Sequence, residues 1–247
     1  MQREIITDGI YHVLNRGVDK RKIFLDEEDY LRFVHDLFEF NDIESVNNLT
    51  YFFRNKFKNN GVVAPPRDIS HSKIRPYVSQ EDKKPRKLLV EILAFCLMPN
   101  HYHLMIKPKY DDGLFKFMKK LNMGYAKYFN EKYTRSGALF EGRYKSAIVR
   151  DDSYFIHLPY YIHLNPLDLE FPEWRIGKIE NYESAIKFLE NYRWSSFPDY
   201  IGKKNFPSVT QREFLLKFWG GSTQYKEEVS RWLKERDLEE NRSLFLE

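Results

Sequence analysis

The chain has 247 residues, 42% hydrophobic and 17% aromatic, enough for one large domain or a domain with an appendage. Its single cysteine, Cys96, excludes an internal disulfide and fits a reducing compartment, and no apolar run approaches the roughly 18 residues of a membrane span. The net charge is only +4, but residues 54–87 hold ten Lys/Arg against three Asp/Glu, and residues 107–150 hold eleven against four. Two basic blocks flanking the middle of the chain suit a polyanionic partner, or form a solvated lysine-rich surface. The start, Met1-Gln2-Arg3-Glu4, carries no signal-peptide pattern, so the expected location is cytoplasmic.

Residues 9–16 alternate and read as a first strand, closed by Gly17. Asp26 suits the N-cap of a helix running to about Phe40, with Tyr30, Phe33, Val34, Leu37 and Phe38 at helical spacing. Turn-formers and charge dominate residues 41–87, which read as an inserted basic segment; Leu49–Phe53 form a short helix or strand within it. Tyr51, Phe52, Phe53, Phe57 and Tyr77 interleave there with basic residues, a mix that either stacks bases or is simply solvated. Residues 88–97 predict a second strand, Pro99-Asn100 a turn, 101–107 a third strand, 113–133 a long helix and 143–150 a fourth strand. The order β-α-β-β-α-β predicts an α+β fold: a ferredoxin-like (RRM-like) antiparallel sheet with helices on one face and the first strand between the third and fourth. Residues 1–166 form the expected core. Residues 167–247 form an extension, with an extended piece near 191–202 and two helical patterns separated by Gly220-Gly221.

Chemistry concentrates in two stretches. In Pro99-Asn100-His101-Tyr102-His103, a strand points His101 and His103 to one face and Tyr102 to the other. Two such imidazoles can hold one divalent metal, Mg²⁺ or Mn²⁺ if oxygen ligands complete the shell; otherwise they are satisfied surface histidines. In Tyr160-Tyr161-Ile162-His163-Leu164-Asn165-Pro166, a helix places Tyr161 and Asn165 one turn apart. A phenol can act as a covalent nucleophile and an amide oxygen as a metal ligand, though Asn165 also suits a C-cap before Pro166. Pro159 predicts a break near Leu158 and a fresh helix start. Tyr160 is the rival nucleophile, His157 lies one turn before Tyr161, His163 falls on another side of the helix, and His12 faces either the site or the core. Arg143 and Lys145 on the fourth strand, and Arg16 just past the first, are candidate phosphate contacts.

These pieces resemble one family in order. Tyr11-His12-Val13-Leu14-Asn15-Arg16-Gly17 is followed by Phe95-Cys96-Leu97-Met98-Pro99-Asn100-His101-Tyr102-His103-Leu104. Then come Leu139-Phe140-Glu141-Gly142-Arg143-Tyr144-Lys145, Tyr161-Ile162-His163-Leu164-Asn165-Pro166 and Trp194-Ser195-Ser196. The chain resembles the single-tyrosine HUH transposases of small bacterial insertion sequences, most closely the REP-associated tyrosine transposase branch. The resemblance implies a nicking and rejoining enzyme for single-stranded or hairpin DNA. Tyr161 would expel a 3′ hydroxyl and leave a 5′-phosphotyrosine. A divalent metal would sit on His101, His103 and Asn165, and Arg143 and Lys145 would contact phosphate. No nucleotide is needed, and no G-x-x-x-x-G-K-[ST] loop is present. Relatives include monomers and homodimers. The competing expectations are a non-catalytic nucleic-acid-binding module of RRM-like fold, and a metal-dependent hydrolase in which water attacks.

Overall fold

The alternating residues from Tyr11 onward do form a strand, and it lies in the middle of the sheet. The computed structural model describes residues 9–44 and 86–235. Most of the inserted basic segment, including Leu49–Phe53, lies outside them. Elements β1 (Tyr11–Arg16), α1 (Glu27–Glu39), β2 (Val90–Met98), β3 (His101–Pro108), α2 (Gly113–Lys132) and β4 (Lys145–Ile148) follow one another as expected. The sheet order is β2-β3-β1-β4 with every pairing antiparallel, which is the α+β ferredoxin-like arrangement.

Local chemistry sets the boundaries. The Asp26 carboxylate accepts from the Asp29 amide at 3.1 Å and starts α1. Gly17 follows β1, and the position requires glycine because a Cβ there would run into the Arg21 carbonyl. The fourth strand is shorter than its predicted 143–150, covering only Lys145–Ile148, so Arg143 lies in the loop before it rather than on it.

Strand alternation divides the sheet into two faces. On one, Val13, Phe95, Tyr102, Leu104 and Ile106 pack against Phe33 and Leu37 of α1 and Phe117, Leu121 and Tyr125 of α2. Each such buried side chain contributes about 1.5–3 kcal/mol. On the other, Cys96, Met98 and Met105 meet Tyr154, Leu158, Tyr161 and Ile162 of α3 (Asp152–Leu164). The Asp151 carboxylate caps α3 by accepting from the Tyr154 amide at 2.7 Å.

The helix runs unbroken through Pro159, contrary to the break predicted near Leu158. Proline does remove one backbone donor. However, all residues from Leu158 to Leu164 are buried, and that packing outweighs the local cost.

After 3₁₀ turns at Asn165–Leu169 and Pro172–Ile176, the extension adds α4 (Tyr182–Asn191), α5 (Phe197–Tyr200), α6 (Glu213–Phe218) and α7 (Ser222–Glu235). Only Trp194–Ser196 of the expected extended piece joins the sheet, along the outer edge of β2. The Leu97 amide donates to the Trp194 carbonyl at 2.8 Å, and the Ser196 amide to the Phe95 carbonyl at 3.0 Å. Gly220 and Gly221 separate α6 from α7 with φ of 77° and 112°, a left-handed turn that favours glycine. No helix among the described residues is long and apolar enough to cross a membrane.

Candidate active site

The register of β1 and β3 places the histidines. His12 lies opposite Met105 and Leu14 opposite His103, so His12, His101 and His103 share the face covered by α3. Tyr102 points the other way and donates from its hydroxyl to Asn122 Oδ1 at 2.6 Å. The His101 and His103 rings stand 4.9 Å apart at 87°.

α3 brings its residues onto the same face at helical spacing. Tyr154, Leu158, Tyr161 and Asn165 turn inward, and the Tyr161 ring lies 5.4 Å from the His103 ring and 5.9 Å from that of His12. The Asn165 amide nitrogen donates to the Tyr161 carbonyl at 3.1 Å, which orients the amide oxygen away from the helix backbone. Tyr160 faces the extension instead, with ring centroids 5.6 Å from Trp219 and 5.9 Å from Trp232, and burial pushes its phenol up to about 12. His157 lies 5.9 Å from Trp232, also away from the histidine face.

Two buried atoms stand out. His103 Nε2 and Asn165 Oδ1 are enclosed and have no hydrogen-bond partner. A buried polar atom left unpaired typically costs about 1–3 kcal/mol. Asp36 Oδ2 and Thr210 Oγ1 are also unpartnered, but only His103 and Asn165 lie on the histidine face under α3. Burial first, then the neighbouring His101, His12 and Arg175, hold His103 well below the usual histidine range, so it is neutral at pH 7. A neutral imidazole nitrogen and an amide oxygen are ligands for a divalent cation. Among the described residues no group of three His, Cys, Asp or Glu is placed to hold a metal. The His101 and His103 imidazoles and the Asn165 amide are nitrogen and oxygen donors on this face.

The sequence left two participants unassigned. His12 is fully buried; its Nε2 is 2.9 Å from His103 Nδ1 and its Nδ1 is 3.1 Å from the Tyr154 hydroxyl. Burial pushes its ring down to about 3. Arg175, on the second 3₁₀ turn, donates to both Asp168 oxygens at 2.7 and 2.6 Å and stands 5.8 Å from the Tyr161 ring centroid.

Residues 78–165 match the family model described as Transposase IS200 like. Over that stretch the chain resembles the IS200-like transposases. The match includes β2, β3, α2, β4 and α3, and so takes in His101, His103, Tyr161 and Asn165. A solved structure described as a REP-associated tyrosine transposase bound to a REP hairpin is 14% identical, covers 85% of this chain and 88% of that one, and has a TM-score of 0.43. No curated protein sequence matches the chain.

The basic residues fall around the transposase-like segment unequally. Lys145 is exposed and stands opposite Leu14, on the histidine face of the sheet. Arg143 is exposed in the preceding loop. Arg16 is engaged: its guanidinium donates to Glu141 Oε1 at 2.8 Å and Oε2 at 3.2 Å. That pairing leaves Arg16 less available for phosphate than the other two.

Proposed function

We propose that the protein is a metal-dependent single-stranded DNA endonuclease and strand transferase that works through a covalent 5′-phosphotyrosine, on hairpin-bearing DNA. The observation that carries this reading is the enclosed pair of unpartnered acceptors, His103 Nε2 and Asn165 Oδ1, with the Tyr161 ring against His103.

A divalent metal, Mg²⁺ or Mn²⁺, on His101, His103 and Asn165 would draw charge from the oxygens of the scissile phosphate. Tyr161 releases its phenolic proton to solvent and attacks phosphorus, the bond between phosphorus and the 3′ oxygen breaks, and that oxygen takes a proton from solvent in return. One phosphate ester replaces another, so rejoining needs no nucleotide. A free phenol has a pKa of about 10, so the phenol must lose its proton to attack; the Arg175 guanidinium, paired with Asp168, stands 5.8 Å from the Tyr161 ring centroid. Lys145 and Arg143 supply phosphate contacts near the same face. Tyr161 itself has no exposed surface and lies between α3 and the sheet, so a phosphate reaches it only after a rearrangement there.

The alternative of an RRM-like binding module requires an open sheet face on which bases stack. Here one face is filled by α1 and α2 and the other by α3 and the extension.

The test is incubation with labelled hairpin DNA and Mn²⁺, followed by a search for a denaturant-resistant adduct. Wild type and Tyr160→Phe should form it; Tyr161→Phe and EDTA-treated protein should not. Cleavage persisting in Tyr161→Phe without an adduct would assign the reaction to water instead.

A further inference from the structure

We propose that His12 is a positioning residue: it accepts a hydrogen bond from Nδ1–H of His103 and so holds the Nε2 lone pair of that ring towards the cation site. The inference rests on the reading of His103 as a ligand and adds a residue outside the segment that matches the transposase family.

The chain of contacts has only two proton arrangements. Tyr154 hydroxyl, His12 Nδ1, His12 Nε2 and His103 Nδ1 follow one another at 3.1 and 2.9 Å, all buried. In one arrangement the tyrosine donates to His12, His12 donates to His103 Nδ1, and His103 carries its proton on Nε2. That proton would be a buried donor with no acceptor, pointing where a cation should bind. In the other, His103 Nδ1–H donates to His12 Nε2, and His12 Nδ1–H donates to the Tyr154 oxygen. His103 Nε2 is then a bare lone pair. Only the second arrangement gives its enclosed position a use.

The neighbouring ligand is organised the same way. Asn100 Nδ2 donates to the Lys20 carbonyl at 3.2 Å, which turns its Oδ1 towards His101. That oxygen is 2.6 Å from His101 Nδ1 and can only accept, so His101 carries its proton on Nδ1 and its lone pair on Nε2. Both rings thus have the acceptor on the δ side that metal-binding histidines commonly require. They differ in what supplies it: a turn amide held by backbone for His101, and a second imidazole backed by a phenol for His103. Because Tyr154 lies in the first turn of α3, its amide held by the Asp151 cap, and Tyr161 lies two turns along, the relay also ties the angle of α3 to the orientation of the ligand.

The experiment uses the full chain and two readouts. Ring-nitrogen NMR on metal-free wild type reads the tautomer of His103, and calorimetric titration with Mn²⁺ reads affinity. The expected result is Nδ1–H at His103 in wild type. His12→Phe should bind Mn²⁺ about 10- to 100-fold more weakly, and His12→Gln, whose amide oxygen can take the place of Nε2, should recover most of that loss. Tyr154→Phe should give a smaller loss. An Nε2–H tautomer in wild type overturns the proposal, as does unchanged Mn²⁺ affinity in a folded His12→Phe. If His12→Phe does not fold, the wild-type tautomer and His12→Gln still decide. Wild type that binds no Mn²⁺ yet shows Nδ1–H at His103 would sink the proposed metal site while leaving the His12 relay standing.

Discussion

His163, on α3, and His103, on the strand face that α3 covers, are both buried and both neutral, but their surroundings differ in one respect. His163 has each ring nitrogen matched: Nδ1 to the Tyr225 hydroxyl at 2.6 Å and Nε2 to Ser196 Oγ at 2.7 Å. Ser196 also accepts from the Phe95 amide at 2.9 Å, so this network fastens α3, the extension and the edge of β2 together. His103 is matched on one nitrogen only. Burial alone therefore does not mark a ligand. On the proposed reading, the open Nε2 is what sets His103 apart from His163, whose hydrogen-bond inventory is closed.

The contrast can be broken or sharpened by substitution. His163→Ala leaves Tyr225 and Ser196 unpaired and opens a cavity; it should cost about 3 kcal/mol or more in chemical denaturation while leaving Mn²⁺ affinity of the folded fraction unchanged. His103→Ala should cost less stability but abolish Mn²⁺ binding. Equal losses in both would erase the distinction.

Metal addition gives the next largest effect. At a concentration 100 times Kd, Mn²⁺ should stabilise wild type by about 2.7 kcal/mol, read as a raised Tm that EDTA reverses. His101→Ala or His103→Ala should show no rise, whereas His163→Gln should retain it.

Acid should unfold the protein through the same buried rings. His12 and His163 are depressed to about 3 in the folded chain, against roughly 6.5 when unfolded. Between those values the unfolded state binds the extra proton, so their contribution is complete above about pH 6.5 and is lost as pH falls towards 3. From pH 6.5 to 5 each ring should account for about 2 kcal/mol, and His163→Gln should remove one such share of the slope. A stability flat across that range would contradict the burial of both.

The smallest effect belongs to the surface. Lys145→Ala and Arg143→Ala should each weaken single-stranded DNA binding and lower the salt slope by about 0.7, without altering stability or Mn²⁺ affinity. Arg16→Ala should do less to DNA, because Glu141 already occupies its guanidinium.

Much of this was legible in sequence where local signals agree with packing. The Asp26 cap, the period-2 strands and the long apolar stripe of α2 all appear within a residue or two of their predicted ends. Pro159 misled because a residue's local cost says nothing of the burial that offsets it. The α4 helix was missed, although Asn181 caps it by accepting from the Ser184 amide at 2.9 Å and Ala185 and Leu189 sit one turn apart. At ten residues between irregular turns, it offers a weak pattern. The parity of His101 and His103 was readable from alternation, but that of His12 was not, since the face of one strand relative to another depends on register. Arg175 is placed by a 3₁₀ turn pinned on Asp168, for which the sequence gives no periodic signal.

Anomalous diffraction from Mn²⁺-soaked crystals tests the central claim most directly. The account predicts one strong peak bonded to the ε nitrogens of His101 and His103 and to Oδ1 of Asn165, beside the Tyr161 phenol. A peak elsewhere, or none there at saturating Mn²⁺ with these atoms hydrogen-bonded to protein instead, would contradict it.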